Sequence, residues 1–186
     1  TAAPSVVLMR PSLPLSWFDY ALLPRHDRPL PRATTLPTEG AINRLQPAAK
    51  RANSGLILLG GPSRHYRWEA DELIDKVAEL AAASDRQWLL SGSRRTPQST
   101  LDRLAARALD NIELVPLAAQ PAGWLAAQLA VSEQCWVSCD SVSMVYEALT
   151  AGCQTGLLAL PSLTANNRLA VGLNELLATG RVVRFD

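Results

Sequence analysis

Lysine is almost missing from this chain. Of the 18 basic residues in 186, all but Lys50 and Lys76 are arginine, a bias that fits GC-rich coding better than any one site. Neither sign of charge is in excess. Eighteen basic against 17 acidic side chains leave a formal +1, which argues against a general nucleic-acid or membrane-surface protein. No apolar run approaches the roughly 18 residues of a membrane span, and no signal-peptide pattern opens the chain. The first residue is Thr1 rather than Met, as expected of a piece of a longer polypeptide. Cysteine is too sparse for a disulfide framework. Cys135 and Cys139 lie four apart in an apolar run, about 13 Å if that run is a strand, whereas a bridge needs Cα atoms within roughly 7 Å. Cys153 stands alone, so buried, reduced thiols in a cytosolic-type compartment are expected. The two histidines, His26 and His65, form no cluster with ligand spacing, which excludes a structural metal site and leaves no covalent nucleophile legible.

What is present suits an ordinary globular domain. Hydrophobic residues make up 48% and charged residues 19%, which excludes intrinsic disorder. A chain of this length buries roughly 70% of its unfolded surface, enough for a core without metals or disulfides. Residues 1–52 carry most of the prolines, broken by short strand-like runs at Ser5–Met9, Tyr20–Leu23 and Ala33–Leu36. We read them as the edge of an N-terminal domain, with a linker near Gln46–Ser54.

From residue 53 to 186 the pattern is regular. Apolar strands at Leu56–Leu59, Gln87–Ser91, Ile112–Val115, Gln134–Cys139 and Gly156–Leu160 alternate with helical patterns at Glu69–Ala83, a stretch opened by Thr96-Pro97, Ala122–Ala130, Val142–Ala151 and Leu169–Ala178. Thr96-Pro97 reads as a helix cap followed by proline at the first helical position. A last short strand follows at Arg181–Arg184. Strands apolar throughout and alternating with helices predict a parallel α/β sheet of the doubly wound, Rossmann-like class.

In such sheets ligands bind outside the carboxyl ends of the strands. Three loops there are polar: Gly60-Gly61-Pro62-Ser63-Arg64-His65, Gly92-Ser93-Arg94-Arg95, and Asp140-Ser141-Val142-Ser143 running on to Glu147. Together they suit an anion, most naturally a diphosphate. Gly60-Gly61 permits positive φ and close backbone approach, serving either a ligand beside Ser63 or a tight turn without one. The pair is neither a P-loop nor the dinucleotide fingerprint, since the following lysine and the third glycine are missing. Arg94 and Arg95 offer forks that match oxyanions, or else form a solvated surface pair. His65 reads as an orienting or capping group, and Tyr66 and Trp68 as packing residues. Ser141 and Ser143 stand at a helix start, where free amides favour phosphate. Glu147, four residues after Ser143, shares its helix face and is placed to meet the hydroxyls of an attached ribose. The alternative is that Asp140 or Ser141 only caps the helix and Glu147 is a structural carboxylate.

These loops resemble those of the mitochondrial-fission (elongated-mitochondria) family, a group of mostly bacterial proteins with plant members. The likeness rests on Leu59–Trp68, Ser93–Pro97 and Asp140–Ala148, with Pro24–Asp27 and Gly40–Arg44 as weaker earlier segments. Members are longer, which implies that part of an N-terminal domain lies outside this chain. The family in turn is similar to GT-B glycosyltransferases, whose C-terminal domain binds a nucleotide-sugar donor without a protein-bound metal or cofactor. There a helix start holds the diphosphate and a glutamate lower on the helix holds the ribose, roles that Ser143 and Glu147 match, with Asp140 in the same motif. The resemblance implies a nucleotide sugar or other phosphorylated small molecule as ligand. It implies a cytoplasmic setting for a bacterial member and the mitochondrial surface for a plant one. The plant members suggest a non-catalytic alternative, an adaptor that recruits a protein partner, which an exposed apolar patch away from the loops would favour.

Overall fold

The computed structural model describes residues 3–27, 29–163 and 168–185. Two parallel sheets run in chain order. The first holds β1 (Val6–Leu8), β2 (Tyr20–Pro24) and β3 (Thr35–Thr38), paired in the order β1-β2-β3. Single 3-10 turns at Leu15–Trp17 and Arg25–Asp27 occupy the connections in place of crossover helices.

The second sheet contains β4 (Arg51–Leu59), β5 (Gln87–Gly92), β6 (Ile112–Leu114), β7 (Ser132–Ser138), β8 (Gln154–Leu158) and β9 (Val182–Phe185). Its order is β6-β5-β4-β7-β8-β9, every pairing parallel. Counted from β4, that is the 3-2-1-4-5-6 order of a dinucleotide-type fold, with its switch point between β4 and β7. Helices α1 (Ala70–Ala82), α2 (Gln98–Ala106), α3 (Trp124–Val131), α4 (Val142–Thr150) and α5 (Arg168–Ala178) provide the crossovers. The expected doubly wound, Rossmann-like architecture is what forms.

The apolar runs account for this order. Leu56–Leu59 is fully buried, and Leu73, Ile74, Val77 and Leu80 of α1 close over the sheet at helical spacing. At roughly 25 cal/mol per Å² of apolar surface, each such side chain contributes about 1.5–3 kcal/mol. Cys135, Cys139 and Cys153 are free, buried thiols. Burial pushes the Cys139 thiol up to about 11, so it is no nucleophile at neutral pH. Gly152 and Gly180 end α4 and α5 with φ of +80° and +68°, the left-handed stop that glycine takes without strain.

Two local expectations need correction. β4 begins at Arg51, inside the stretch read as linker, because its polar start carries no apolar signal. Asn53 at φ +59° accompanies a register shift in the pairing of β4 with β7 between Arg51 and Gly55. Thr96 does not cap α2, whose N-cap position is Pro97. Its hydroxyl instead donates to the carbonyls of Leu59, at 2.9 Å, and Gly60.

Both lysines work on backbone. Lys50 Nζ donates to the carbonyls of Leu129 and Ala130 at 3.0 Å and of Ala151 at 2.6 Å. One ammonium thus caps the carbonyl ends of α3 and α4, where the helix dipole favours a cation. Lys76 Nζ donates to Ala159 O at 2.9 Å. Upstream, Gly40 packs against the Tyr146 ring and Asn43 Nδ2 donates to Thr150 Oγ1 at 3.0 Å. The segment from Gly40 to Lys50 therefore runs along α4 toward its carboxyl end. Among the described residues no helix is long and apolar enough to cross a membrane. No group of three or more His, Cys, Asp or Glu is positioned there to hold a metal ion.

Candidate functional site

The loops after β4, β5 and β7 meet at one sheet edge, tied together by a buried carboxylate. Asp140, whose side chain has 0% exposure, accepts from Gly61 N–H at 2.9 Å, Ser138 Oγ at 2.7 Å and Arg95 Nη2 at 2.9 Å. Ser138 Oγ in turn accepts from Gly60 N–H at 2.7 Å. Ser93 Oγ donates to Gly60 O at 2.7 Å, and Arg95 Nη1 reaches Gly61 O at 3.2 Å and Pro62 O at 3.3 Å. An ionic partner and two further donors satisfy a buried charge that would otherwise be costly.

This network alters the reading of the glycine pair. Neither glycine takes positive φ. A Cβ on Gly60 would overlap the Asp140 carboxylate, and one on Gly61 would overlap the Arg95 carbonyl. The close approach is made by the protein's own atoms, and both amide protons point at internal acceptors. Ser63 likewise serves its own loop, its Oγ accepting from the amides of His65 at 3.2 Å and Tyr66 at 3.1 Å. Arg95 is bound to Asp140. Arg94 is exposed on the same loop and has no side-chain partner among the described residues. Tyr66 is buried and Trp68 Nε1 donates to Thr100 Oγ1 at 3.3 Å, the packing roles expected of them.

Along α4 the arrangement is more open. Ser141 holds the N-cap position and is buried, but its side chain makes no capping bond. Ser143 is exposed in the first turn, where helical amides lack intrahelical acceptors. Glu147, one turn on, is half-buried. Its carboxylate has no hydrogen-bond or ion-pair partner among the described residues, and burial holds it above the ordinary glutamate range.

Glu147 lines a cavity of about 590 Å³. One wall is α3, apolar except for Gln128, which contributes Trp124, Leu125 and Leu129. A second wall comes from Leu117 and Gln120, which follow β6 at its carboxyl end. The third is the irregular segment Asn43–Leu45. Gln120 is pinned by bonds from Nε2 to Ser91 Oγ at 2.6 Å and Val115 O at 3.1 Å. Mostly apolar walls with a few convergent polar groups are what small-molecule sites present. Sequence reasoning missed Arg44, Gln120 and Trp124. None stands in a periodic run with Glu147, and Arg44 arrives from more than a hundred residues away. A smaller cavity of about 360 Å³ lies between β8, β9 and α5, lined mainly by apolar side chains with Tyr66 and the inert Cys139.

The family described as Mitochondrial fission ELM1 matches residues 1–186. No curated protein matches the chain. Solved structures similar to it include TarM, with a TM-score of 0.46 and 10% identity over 88% of this chain. They also include the pneumococcal O-GlcNAc transferase GtfA in complex with UDP and GlcNAc, with a TM-score of 0.46 and 13% identity over 89% of this chain. The match spans 36% of the first of those chains and 40% of the second.

Proposed function

We propose that this chain, which belongs to the Mitochondrial fission ELM1 family, binds a nucleoside diphosphate sugar at the carboxyl edge of its second sheet, as the donor half of a glycosyl transfer. The observation that carries the reading is Glu147, a half-buried carboxylate with no partner among the described residues, on the wall of a 590 Å³ cavity. Burying such a group is unfavourable unless a ligand supplies donors, and the vicinal hydroxyls of a ribose supply two. One turn earlier, the free amides of α4 and Ser143 suit the diphosphate, with Arg94 on the neighbouring loop as its counter-charge. Asp140, Gly60, Gly61 and Arg95 then act by holding the three loops in register. Metals and cofactors have no role in this reading.

The test is a thermal-shift series with nucleoside diphosphates and their sugars. A ligand at 100 times its dissociation constant stabilises by about 2.7 kcal/mol, a shift of several degrees for a chain of this size. No shift with any of them at millimolar concentration overturns the reading.

One observation favours a second reading, recruitment of a protein partner. Val6, Leu8, Tyr20 and Leu36 share one face of the first sheet by their pairing, and each is about half exposed. Parallel strands are seldom left open on an apolar face, and this one belongs to the first sheet, whereas the three loops follow strands of the second. Replacing Leu8 and Leu36 together by Ser would then abolish partner capture while leaving nucleotide binding intact.

A further inference from the structure

The cavity beside Glu147 is lined by a second ionisable group. Arg44 lines the same cavity, and its guanidinium has no hydrogen-bond or ion-pair partner among the described residues. The cation and the carboxylate share one space, yet no ion pair joins them. A ligand that fills the cavity meets an acceptor at Glu147 and donors at the exposed Arg44.

Position along α4 decides which part of the ligand meets Arg44. Asn43 is bonded to Thr150, the last residue of α4, and Lys50 to Ala151 just beyond it. Arg44 thus approaches from the carboxyl end of the helix, while Ser143 stands at the amino end and Glu147 between them. With the phosphates at the amino end and the ribose at Glu147, the base extends toward Arg44, Leu45 and Trp124. A guanidinium carries five N–H donors and no acceptor. It favours a base edge bearing carbonyl oxygens, as in uracil, thymine or guanine, over the amino-bearing edge of adenine.

We infer that Arg44 is the base-reading residue of this site and selects nucleotides with a carbonyl-bearing base. This rests on the nucleotide reading above. Calorimetric titration of the full chain with UDP, GDP and ADP tests it, on the parent and on Arg44→Gln. The parent should bind UDP and GDP more tightly than ADP. Arg44→Gln should lose about tenfold or more for UDP and GDP, the scale of one well-placed guanidinium–base pair, and leave ADP unchanged. Its melting temperature should not move, since the exposed Arg44 side chain makes no bond among the described residues. Equal losses for all three nucleotides would assign Arg44 to the phosphates and overturn the inference, as would no loss at all or no preference in the parent. In each of those cases the nucleotide reading survives. Failure of the parent to bind any of the three overturns both.

Discussion

Replacing Glu147 by Gln removes one charge and almost no volume, and the consequences for binding and for stability run in opposite directions. Burial raises the carboxyl above the ordinary glutamate range, so folding disfavours its ionised form. The stability contribution of such a group is present at acid pH, where it is protonated folded and unfolded, and is lost as pH rises through its folded-state value. Gln cannot ionise. Glu147→Gln should therefore be at least as stable as the parent at neutral pH, and the difference should vanish below about pH 4, where an ordinary glutamate is protonated. Binding should fall. Hydrogen bonds to a charged group are worth about 1.5–3 kcal/mol, so losing the ribose contact should weaken nucleoside diphosphate binding about tenfold to a hundredfold. In the parent, affinity should decline on acidification from a higher pH than an ordinary glutamate would give, and that dependence should be missing from the variant. Thermal melts and calorimetric titrations across pH read both effects. A lowered melting temperature at neutral pH with unchanged affinity would refute the reasoning, because it would mean that Glu147 has partners in the fold and none in the ligand.

Two stability predictions test the scaffold. Gly61→Ala places a Cβ onto the Arg95 main-chain carbonyl, so backbone must move; overpacking of this kind costs about 1–3 kcal/mol, and urea unfolding should show a loss in the upper part of that range. A loss below about 0.5 kcal/mol, the scale of neutral surface changes, would show that the loops are not held as described. Lys50→Met removes the ammonium from three carbonyls at the ends of α3 and α4; a loss of about 1.5–3 kcal/mol is expected, read as a lower urea midpoint at unchanged slope.

The strands of the second sheet were legible because each is an apolar run between turn signals, and a parallel, doubly covered sheet needs such runs. Leu56–Leu59 and Gln134–Cys139 announce themselves this way. The polar start of β4 at Arg51–Ser54 does not, although it pairs in the same sheet. The meeting of the three loops follows from the Rossmann order, in which strands 1 and 4 are neighbours. What each residue does at that edge was less accessible. Gly60-Gly61 suggested a ligand approached closely, and the approaching atoms proved to belong to Asp140 and Arg95, the former 79 residues away along the chain from Gly61. Local sequence carries no trace of that contact. Arg44 sits in an irregular segment without periodicity, so only the folded path along α4 brings it to Glu147.

The most direct measurement is a crystal structure of the full chain with a nucleoside diphosphate sugar. Ribose hydroxyls should lie within hydrogen-bond distance of the Glu147 carboxylate and phosphate oxygens over the first turn of α4. The base should lie between Trp124 and Arg44. A nucleotide bound elsewhere, with the Glu147 cavity holding only solvent, would contradict this placement.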